Sequence, residues 1–238
     1  ICTGMAASMG AVLLVAGEKG MRAMLPEFER LGIKIDMALV GEPTGMDAAV
    51  GERGLLVFDA TVHGVRGHAA RNEGENALYK AIEDIERLRN YRFERCSELL
   101  GDINIAVTMI SAGLQHNVVP DECKFVVDVR TTDAYTNEET VELLQSVVEC
   151  EMVPRSTRVR ASAIGSGHPL VKAAVAMGRA TFVSPTTSDM ALMPFPSLKM
   201  GVGESARSHS ADEFVFESEI VEGVALYNIF INELNKLI

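Results

Sequence analysis

The feature that most constrains the fold is a change of hydrophobic pattern that begins at Gly54 and ends near Ala163. Within this stretch, apolar residues at every second position predict strands, and apolar residues at helical spacing predict two helices. The predicted order is strand, helix, strand, strand, helix, strand, with the last strand at 158–163 and Asn137 as the cap of the second helix. This βαββαβ order predicts a compact ferredoxin-like unit.

The sequence on both sides of this unit predicts further helices. An apolar run at 6–15 and the segment 18–31, which has Gly32 as its stop, show helical composition. Helices are also predicted from His168 to Arg179 and at the C-terminal end of the chain. Helices before and after a βαββαβ unit indicate a second domain that the unit interrupts.

A short apolar run at 35–40 ends at Gly41-Glu42-Pro43, as a buried strand of a parallel sheet followed by a turn does. We therefore predict an α/β domain with a mostly parallel sheet flanked by helices, formed by residues 1–52 and 164–238. The ferredoxin-like unit is expected at 53–163. Ligand sites of such sheets lie beyond the carboxyl ends of the strands.

Composition excludes several classes of partner. The net charge is −11 and the basic residues are scattered, which disfavours binding to a nucleic acid. No apolar stretch reaches the roughly 20 residues of a membrane-spanning helix, and no secretory signal is recognisable. The four cysteines form no Cys-x-x-Cys pair, which favours reduced thiols and a cytoplasmic location.

Two loops carry candidate metal ligands. Gly41-Glu42-Pro43-Thr44 places a carboxylate just beyond the predicted strand, although such a sequence alone is usually only a turn. Ser208-His209-Ser210 places an imidazole in a polar loop beside Arg207, although an isolated loop histidine is usually solvated. The polar stretch 184–189 is a further loop that can shape a pocket.

Three residues of the ferredoxin-like unit are candidates for contact with a substrate. His68 follows a glycine-rich turn, which is either only a turn or a means of presenting an imidazole to an oxyanion. Asn117 offers an amide donor and Arg130 a fork for a carboxylate, with a turn and a surface ion pair as the alternatives. Glu138-Glu139 begins a predicted helix, so we interpret this pair as capping rather than catalytic.

Taken together and in this order, the motifs resemble the metallopeptidase and deacylase family that includes acetylornithine deacetylase, succinyl-diaminopimelate desuccinylase, aminoacylase and carboxypeptidase G. The resemblance covers nearly all of the chain and is nearest to the acetylornithine deacetylase-like branch of arginine biosynthesis. Its most specific pieces are Val40-Gly41-Glu42-Pro43-Thr44, Gly64-x-x-Gly67-His68-Ala69, Asn117-Val118-Val119-Pro120, Ser188-Asp189 and Ser208-His209-x-x-Asp212-Glu213.

The resemblance implies a hydrolase that uses two divalent ions, zinc or else cobalt, to remove an acyl group from the nitrogen of a small amino acid such as acetylornithine or acylcitrulline. It implies that Glu42 and His209 are terminal ligands of different ions and that His68 donates to the oxyanion from a lid domain. It also makes Asn117, Arg130 and, less directly, Arg207 candidates for binding the substrate. A homodimer formed through the lid is expected.

The sequence departs from this family in its metal ligands. The His-x-Asp motif, the bridging Asp and the Glu-Glu pair of the family are all absent. Because 6–15 resembles the helix after the bridging Asp and 17–21 the stretch after the Glu-Glu pair, we hypothesise that segments are left out, one of them between Val15 and Ala16. Ligand loops disordered in a metal-free form would explain such gaps.

Two other functions are compatible with the same motifs. Members of the family change substrate by altering lid and pocket residues, so a dipeptidase or a desuccinylase is an alternative. The absent ligands, taken literally, indicate a binding or assembly protein that has lost its metal site. Glu42, His68 and His209 favour the enzyme, because a purely structural descendant has no chemical reason to keep all three.

Overall fold

The computed structural model describes residues 18–71, 73–208 and 210–238. The predicted helix at 6–15 and the candidate ligand His209 lie outside these residues. The helices are α1 (Glu18–Arg30), α2 (Ala77–Asn90), α3 (Asn137–Val147), α4 (Pro169–Ala176) and α5 (Glu217–Asn235). The strands are β1 (Ala38–Val40), β2 (Ala48–Glu52), β3 (Gly54–His63), β4 (Gly67–His68), β5 (Asn104–Ala112), β6 (Val118–Val119), β7 (Glu122–Thr131), β8 (Glu151–Pro154), β9 (Ser162–Ala163), β10 (Thr181–Ser184) and β11 (Ser197–Lys199).

The contacts divide the chain into two units. The inserted unit is Gly54–Arg160, and the outer unit combines the described residues up to Arg53 with Ala161–Ile238. Both are mixtures of helices and sheets, as the predicted α/β class requires. The boundaries lie within three residues of the predicted 53 and 163.

The inserted unit has the predicted βαββαβ order, given by β3, α2, β5, β7, α3 and β8. Its sheet has the strand order β5-β7-β3-β8, and every neighbouring pair is antiparallel. This is the arrangement of a ferredoxin-like fold. Alternate residues of β3, including Leu56 and Phe58, are buried in the core beside Phe125 of β7 and Leu88 of α2.

Two details of the predicted unit are wrong. Thr136, not Asn137, caps α3, in a capping box with Glu139. The fourth strand is β8 at 151–154 rather than 158–163, because the buried Asn137 amide takes the carbonyls of Thr157 and Val159 as acceptors, at 2.9 and 3.0 Å. Apolar alternation at 158–163 therefore marks a connection and the short strand β9, which pairs with β2 in the outer unit.

The outer unit has a sheet of order β1-β11-β2-β10, with β9 beside β2. The pairs β1–β11 and β2–β10 are parallel, whereas β2 is antiparallel to β11 and to β9. The sheet is thus mixed, where the sequence predicts a mostly parallel one. The reason is that a continuous apolar run identifies a buried strand without revealing its direction.

Helices α4 and α5 pack on each other and enclose the core of the outer unit. Phe230 and Leu234 of α5 are buried there, and Gly223 lies so close to Val202 that a Cβ would be 2.0 Å from a Val202 methyl group. Among the described residues, no helix is both long and apolar enough to cross a membrane.

Because of Tyr227 in α5, this core is expected to lose stability at alkaline pH. Its hydroxyl donates to the Met200 carbonyl at 2.7 Å, and burial raises the pKa of Tyr227 to about 12. An unfolded tyrosine has a pKa of about 10, so the contribution of the neutral hydroxyl is complete below about pH 10 and is lost between about pH 10 and 12. We expect Tyr227→Phe to cost about 1 kcal/mol at pH 8 and clearly less at pH 11, as measured by urea unfolding. A difference that persists unchanged at pH 11 would contradict this assignment.

Candidate functional site

Glu42 lies in a turn that the structure joins to the chain after β11. Because β1 and β11 are parallel neighbours, the residues that follow them leave the same edge of the sheet. The backbone N–H groups of Thr44 and Met46 both donate to the Gly201 carbonyl, at 3.1 and 2.9 Å. The two candidate ligands therefore belong to connections that start at one edge, Glu42 just after β1 and His209 ten residues after β11.

Gly201 is required at this junction because of a close backbone contact. A Cβ on Gly201 would lie 2.5 Å from the carbonyl oxygen of Glu42. Gly45, with φ of +62°, would bring a Cβ to 2.9 Å from Oε1 of Glu204. The turn that carries Glu42 is thus held by close packing, and its carboxylate is exposed to solvent.

Arg207 closes the loop that contains His209. Its guanidinium is ion-paired with Glu219 and lies 5.1 Å from the ring centres of both Phe214 and Phe216. The Arg207 hydrogen bond lowers the pKa of Glu219, and the backbone N–H of Phe216 lowers it further. Arg207 therefore connects the start of this loop to the start of α5. Its guanidinium group, which the sequence predicts to bind a substrate, is already paired with Glu219.

His68 lies on a small ribbon of the inserted unit, in which β4 pairs with β6. The backbone N–H of Ala70 donates to His68 Nδ1 at 3.2 Å. A neutral imidazole whose Nδ1 accepts a hydrogen bond carries its proton on Nε2. Nε2 of the exposed His68 is therefore a hydrogen-bond donor directed away from its own backbone, as donation to an oxyanion requires.

Three glycines hold the His68 segment against the chain at 73–77. A Cβ on Gly64 would lie 2.2 Å from the Glu75 carbonyl oxygen, and one on Gly67 would lie 2.1 Å from that of Glu73. Gly74 has a φ of +86° and makes the matching contact with Val65. The glycine-rich sequence is thus more than a flexible turn, because it permits the backbone contact that fixes His68.

We expect Gly67→Ala to lower the free energy of unfolding by about 2–3 kcal/mol, because the new methyl group collides with backbone that has no rotamer by which to move away. Urea unfolding measures the change. Gly165→Ala is the matched control, since a Cβ there meets no atom within 4 Å. Equal stability of the two variants would show that the 73–77 segment moves freely.

Asn117 is brought to His68, whereas Arg130 is not. The Asn117 carbonyl accepts from Ala69 N–H at 3.1 Å, on the ribbon that carries His68. This ribbon adjoins the beginning of β7, and Arg130 lies near the other end of that ten-residue strand, roughly 27 Å away at the usual rise per residue. Arg130 is bound through two hydrogen bonds to Asp128, at 2.8 and 3.1 Å.

A buried ion pair that the sequence motifs do not reveal lies in the outer unit. Lys199 and Glu52 are 2% and 0% exposed, and their charged atoms are 3.1 Å apart. Glu52 also accepts from the backbone N–H and the hydroxyl of Ser188, at 3.0 and 2.8 Å, and Lys199 donates to the Thr186 carbonyl at 2.9 Å. Ser188, predicted to shape a pocket, thus takes part in an internal hydrogen-bond network. The signal for this network in the sequence is Lys199, a lysine next to apolar residues of a short strand.

The described residues do not by themselves provide a two-metal site. Within the described ranges, no group of three or more His, Cys, Asp and Glu side chains is placed to hold a metal ion. None of the five histidines of the sequence belongs to a His-x-Asp motif. Glu42 and His209 are thus two of the implied ligands without the others.

Two family models match the sequence. Residues 50–155 match the M20 model described as a peptidase dimerisation domain. Residues 1–44 match a different model, described as Clp protease. This second match corrects the interpretation of 6–15 and 17–21 as remnants of the deacylase family, because those stretches match a protein of another family. The Clp protease match also includes β1, which pairs with β11, and Glu42.

Curated relatives and solved structures are similar to this chain in sequence and in fold, respectively. The chain is 26% identical over 211 residues to the succinyl-diaminopimelate desuccinylase of Corynebacterium glutamicum, covering 83% of this chain and 57% of that protein. Aminopeptidase PepT of Bacillus cereus has a TM-score of 0.70 at 16% identity, covering 91% of this chain and 61% of that one. The YXEP protein of Bacillus subtilis, named a dinuclear metal binding peptidase from the M20 family, has a TM-score of 0.62 at 17% identity, covering 92% and 61%.

The chain spans about half the length of the curated relatives it matches. It covers 41% of the desuccinylase of Paracoccus denitrificans and 57% of that of Corynebacterium glutamicum. The structural likenesses establish the fold, with a ferredoxin-like unit inserted in an α/β domain. The dimerisation-domain match covers most of that inserted unit. Residues 50–155 are therefore similar to the dimerisation domain of M20 peptidases, and the fold of the chain is similar to that of solved M20 peptidases.

Proposed function

We propose that this protein is part of a metal-dependent amidohydrolase that removes an acyl group from the amino nitrogen of an amino acid. The observation that carries the proposal is the state of His68, an exposed imidazole with Nε2 as its donor, held by a glycine-packed ribbon. Amide hydrolysis develops negative charge on the carbonyl oxygen, and a donor fixed in advance stabilises that charge. The outer unit contributes Glu42 and His209 as candidate metal ligands.

The substrate we favour is a succinylated amino acid rather than acetylornithine. Relatives at 27% and 26% identity are named succinyl-diaminopimelate desuccinylases, whereas the acetylornithine assignment depends on local motifs alone. The second carboxylate of a succinyl group gives a polar lid an additional charge to bind. Asn117, Arg130 and Arg207 stay candidates for that contact, although the guanidinium groups of both arginines are already paired with carboxylates.

The proposal is tested by comparing release of succinate from N-succinyl-diaminopimelate with release of acetate from N-acetylornithine, with and without added zinc or cobalt. Metal-dependent hydrolysis of the succinyl substrate that is lost in His209→Ala is the expected result. Preference for N-acetylornithine would favour a role in arginine biosynthesis. Hydrolysis of dipeptides alone would indicate a dipeptidase. No hydrolysis of any of these substrates, with or without added metal, would favour a non-catalytic binding protein.

We infer that Glu42 and His209 would contribute to binding two divalent ions, zinc or cobalt, whose remaining ligands come from polypeptide other than the described residues. Such ions, when bound, would activate water and polarise the amide. The protein is proposed to act in the cytoplasm. Its three described cysteines are free thiols, which supports a reducing compartment.

We further propose a homodimer formed through the outer edge of β5. This nine-residue edge strand has no charged residue, and Met109 and Ile110 are 65% and 51% exposed. An unprotected apolar edge pairs readily with another chain. We expect a mass near twice 25.7 kDa by light scattering and mainly monomer for Ile110→Lys. Val153→Lys on the opposite edge strand is the control; a dimer that survives Ile110→Lys would place the interface elsewhere.

A further inference from the structure

Helix α4 begins at an unusual cap, the imidazole of His168. The backbone of His168 is extended, with φ of −71° and ψ of 142°, and its Nδ1 accepts a hydrogen bond from the backbone N–H of Leu170 at 3.2 Å. An N-cap side chain normally accepts such a bond through the oxygen of Asn, Asp, Ser or Thr. Those oxygens still accept at mildly acidic pH, whereas an imidazole nitrogen that binds a proton no longer does. The first turn of α4 therefore depends on the protonation state of one side chain.

The cap fixes a helix that has little other support at its start. α4 has eight residues, which is too short for a helix to persist without packing and caps. The segment before it contains Gly165 and Gly167, and a Cβ at either position would meet no described atom within 4 Å. This segment is tied to the start of the helix by one backbone hydrogen bond, from His168 N–H to the Gly165 carbonyl at 3.0 Å. The position of the first turn thus depends strongly on the His168 side chain.

The first turn of α4 covers part of the core of the outer unit. Leu170, whose N–H is capped, and Val171 are each 2% exposed. Both belong to the same core as Phe230 of α5. A displacement of the first turn therefore exposes two large apolar side chains to water, and with them the adjoining surface of the core.

Protonation of His168 removes the cap for two reasons. A neutral imidazole that accepts at Nδ1 carries its proton on Nε2, so a second proton can bind only at Nδ1. The new Nδ1–H then faces the N–H of Leu170, and two donors repel each other. The new positive charge also lies at the positive end of the helix dipole. In agreement with this geometry, burial lowers the pKa of His168 below its ordinary value of 6.5.

The charged groups packed around α4 do not stabilise a protonated His168. α4 packs mainly on α5, and also on β2 and β11. The charged or titratable side chains of these four elements are Lys172 on α4, Glu217, Glu219, Glu222, Tyr227 and Glu233 on α5, Glu52 on β2 and Lys199 on β11. Several have other partners: Glu52 binds Lys199, Glu219 binds Arg207, Glu233 binds Lys236, and Tyr227 donates to the Met200 carbonyl. Within the described part of the chain, no carboxylate raises the pKa of His168.

We propose that the His168 cap is an acid-sensitive switch in the outer unit: when the imidazole binds a proton, the first turn of α4 is released and Leu170 and Val171 are uncovered. The direction of the effect follows from linkage. Because the pKa in the folded state lies below the unfolded value of about 6.5, the stabilisation is fully present above about pH 6.5 and is lost as the pH falls through the lower folded-state pKa. Loss of an N-cap changes the opening equilibrium of a helix about fivefold.

The test measures amide hydrogen exchange of the full chain at pH 7.5 and pH 5.0, by mass spectrometry of peptides that span α4, with each rate corrected for the intrinsic effect of pH. Peptides from α2, in the inserted unit, are the internal reference. His168→Asn keeps an N-cap acceptor that does not titrate, and His168→Ala has no cap at either pH. His63→Asn is the matched control, because it removes an exposed histidine at the end of β3.

In the unaltered chain and in His63→Asn, the protection of α4 is expected to fall about fivefold from pH 7.5 to pH 5.0, while that of α2 changes less than twofold. The protection of α4 should stay constant in His168→Asn and should be low at both pH values in His168→Ala. An equal fall in His168→Asn would overturn the proposal, because another group would then be responsible. Constant protection of α4 in the unaltered chain, or an equal fall in α2, would also overturn it.

This inference does not depend on the proposed function. Hydrogen exchange of α4 requires neither bound metal nor hydrolysis of a substrate. A chain that hydrolyses no acylated amino acid but loses protection of α4 in acid would remove the proposed function and support the switch.

Discussion

Replacing Lys199 with methionine is expected to lower the free energy of unfolding by about 3–5 kcal/mol, because it leaves the Glu52 carboxylate buried without its cation. Glu52 is completely buried, and within the described part of the chain it keeps two hydrogen bonds, both from Ser188, once the ammonium group is removed. The measurement is urea unfolding followed by far-ultraviolet circular dichroism. Lys172→Met, at an exposed position on α4, is the control and should change stability by less than about 0.5 kcal/mol.

The double variant Lys199→Met with Glu52→Leu distinguishes an unpaired charge from lost packing. Removing both charges takes away the desolvation penalty together with the attraction, so the double variant should be more stable than Lys199→Met alone. Additive losses in the two single variants and the double variant would show that the two side chains stabilise the sheet separately. A Lys199→Met protein as stable as the unaltered one would show that water reaches the carboxylate.

Replacing His68 with alanine is expected to lower kcat for amide hydrolysis by about 100- to 1000-fold, with little change in KM. In the proposed role, Nε2–H would donate to a charge that exists only in the transition state, so its removal would not weaken binding of the substrate ground state. Steady-state kinetics with the succinylated substrate measure both constants.

His63→Ala is the matched control, because His63 is also exposed and lies only five residues earlier, at the end of β3. It should retain nearly full activity. A His68→Ala enzyme with raised KM and unchanged kcat would assign His68 to substrate binding instead. If both variants were fully active, the oxyanion donor would have to be another group.

The candidate site was only partly predictable from sequence. The strand that ends before Glu42 and the turn that presents His68 were predictable because buried strands and glycine-rich turns leave local patterns. The separation of Arg130 from His68 along β7 was not, since it depends on the register between β3, β5 and β7. For the same reason, the predicted strand at 158–163 was wrong: Asn137, distant in sequence, takes the carbonyls of that segment.

The sequence by itself determined the βαββαβ unit, the helices beside it and the resemblance to a metallopeptidase and deacylase family, because hydrophobic periodicity and short motifs are local properties of the chain. Only the tertiary structure decided the direction of the outer-unit strands and the Glu52–Lys199 pair. Each of these depends on which surfaces meet, and Lys199 shows the reason. From sequence, a lysine in a strand is expected to be exposed to solvent. In the structure, its ammonium group lies 3.1 Å from a carboxylate that is 147 residues earlier in the chain.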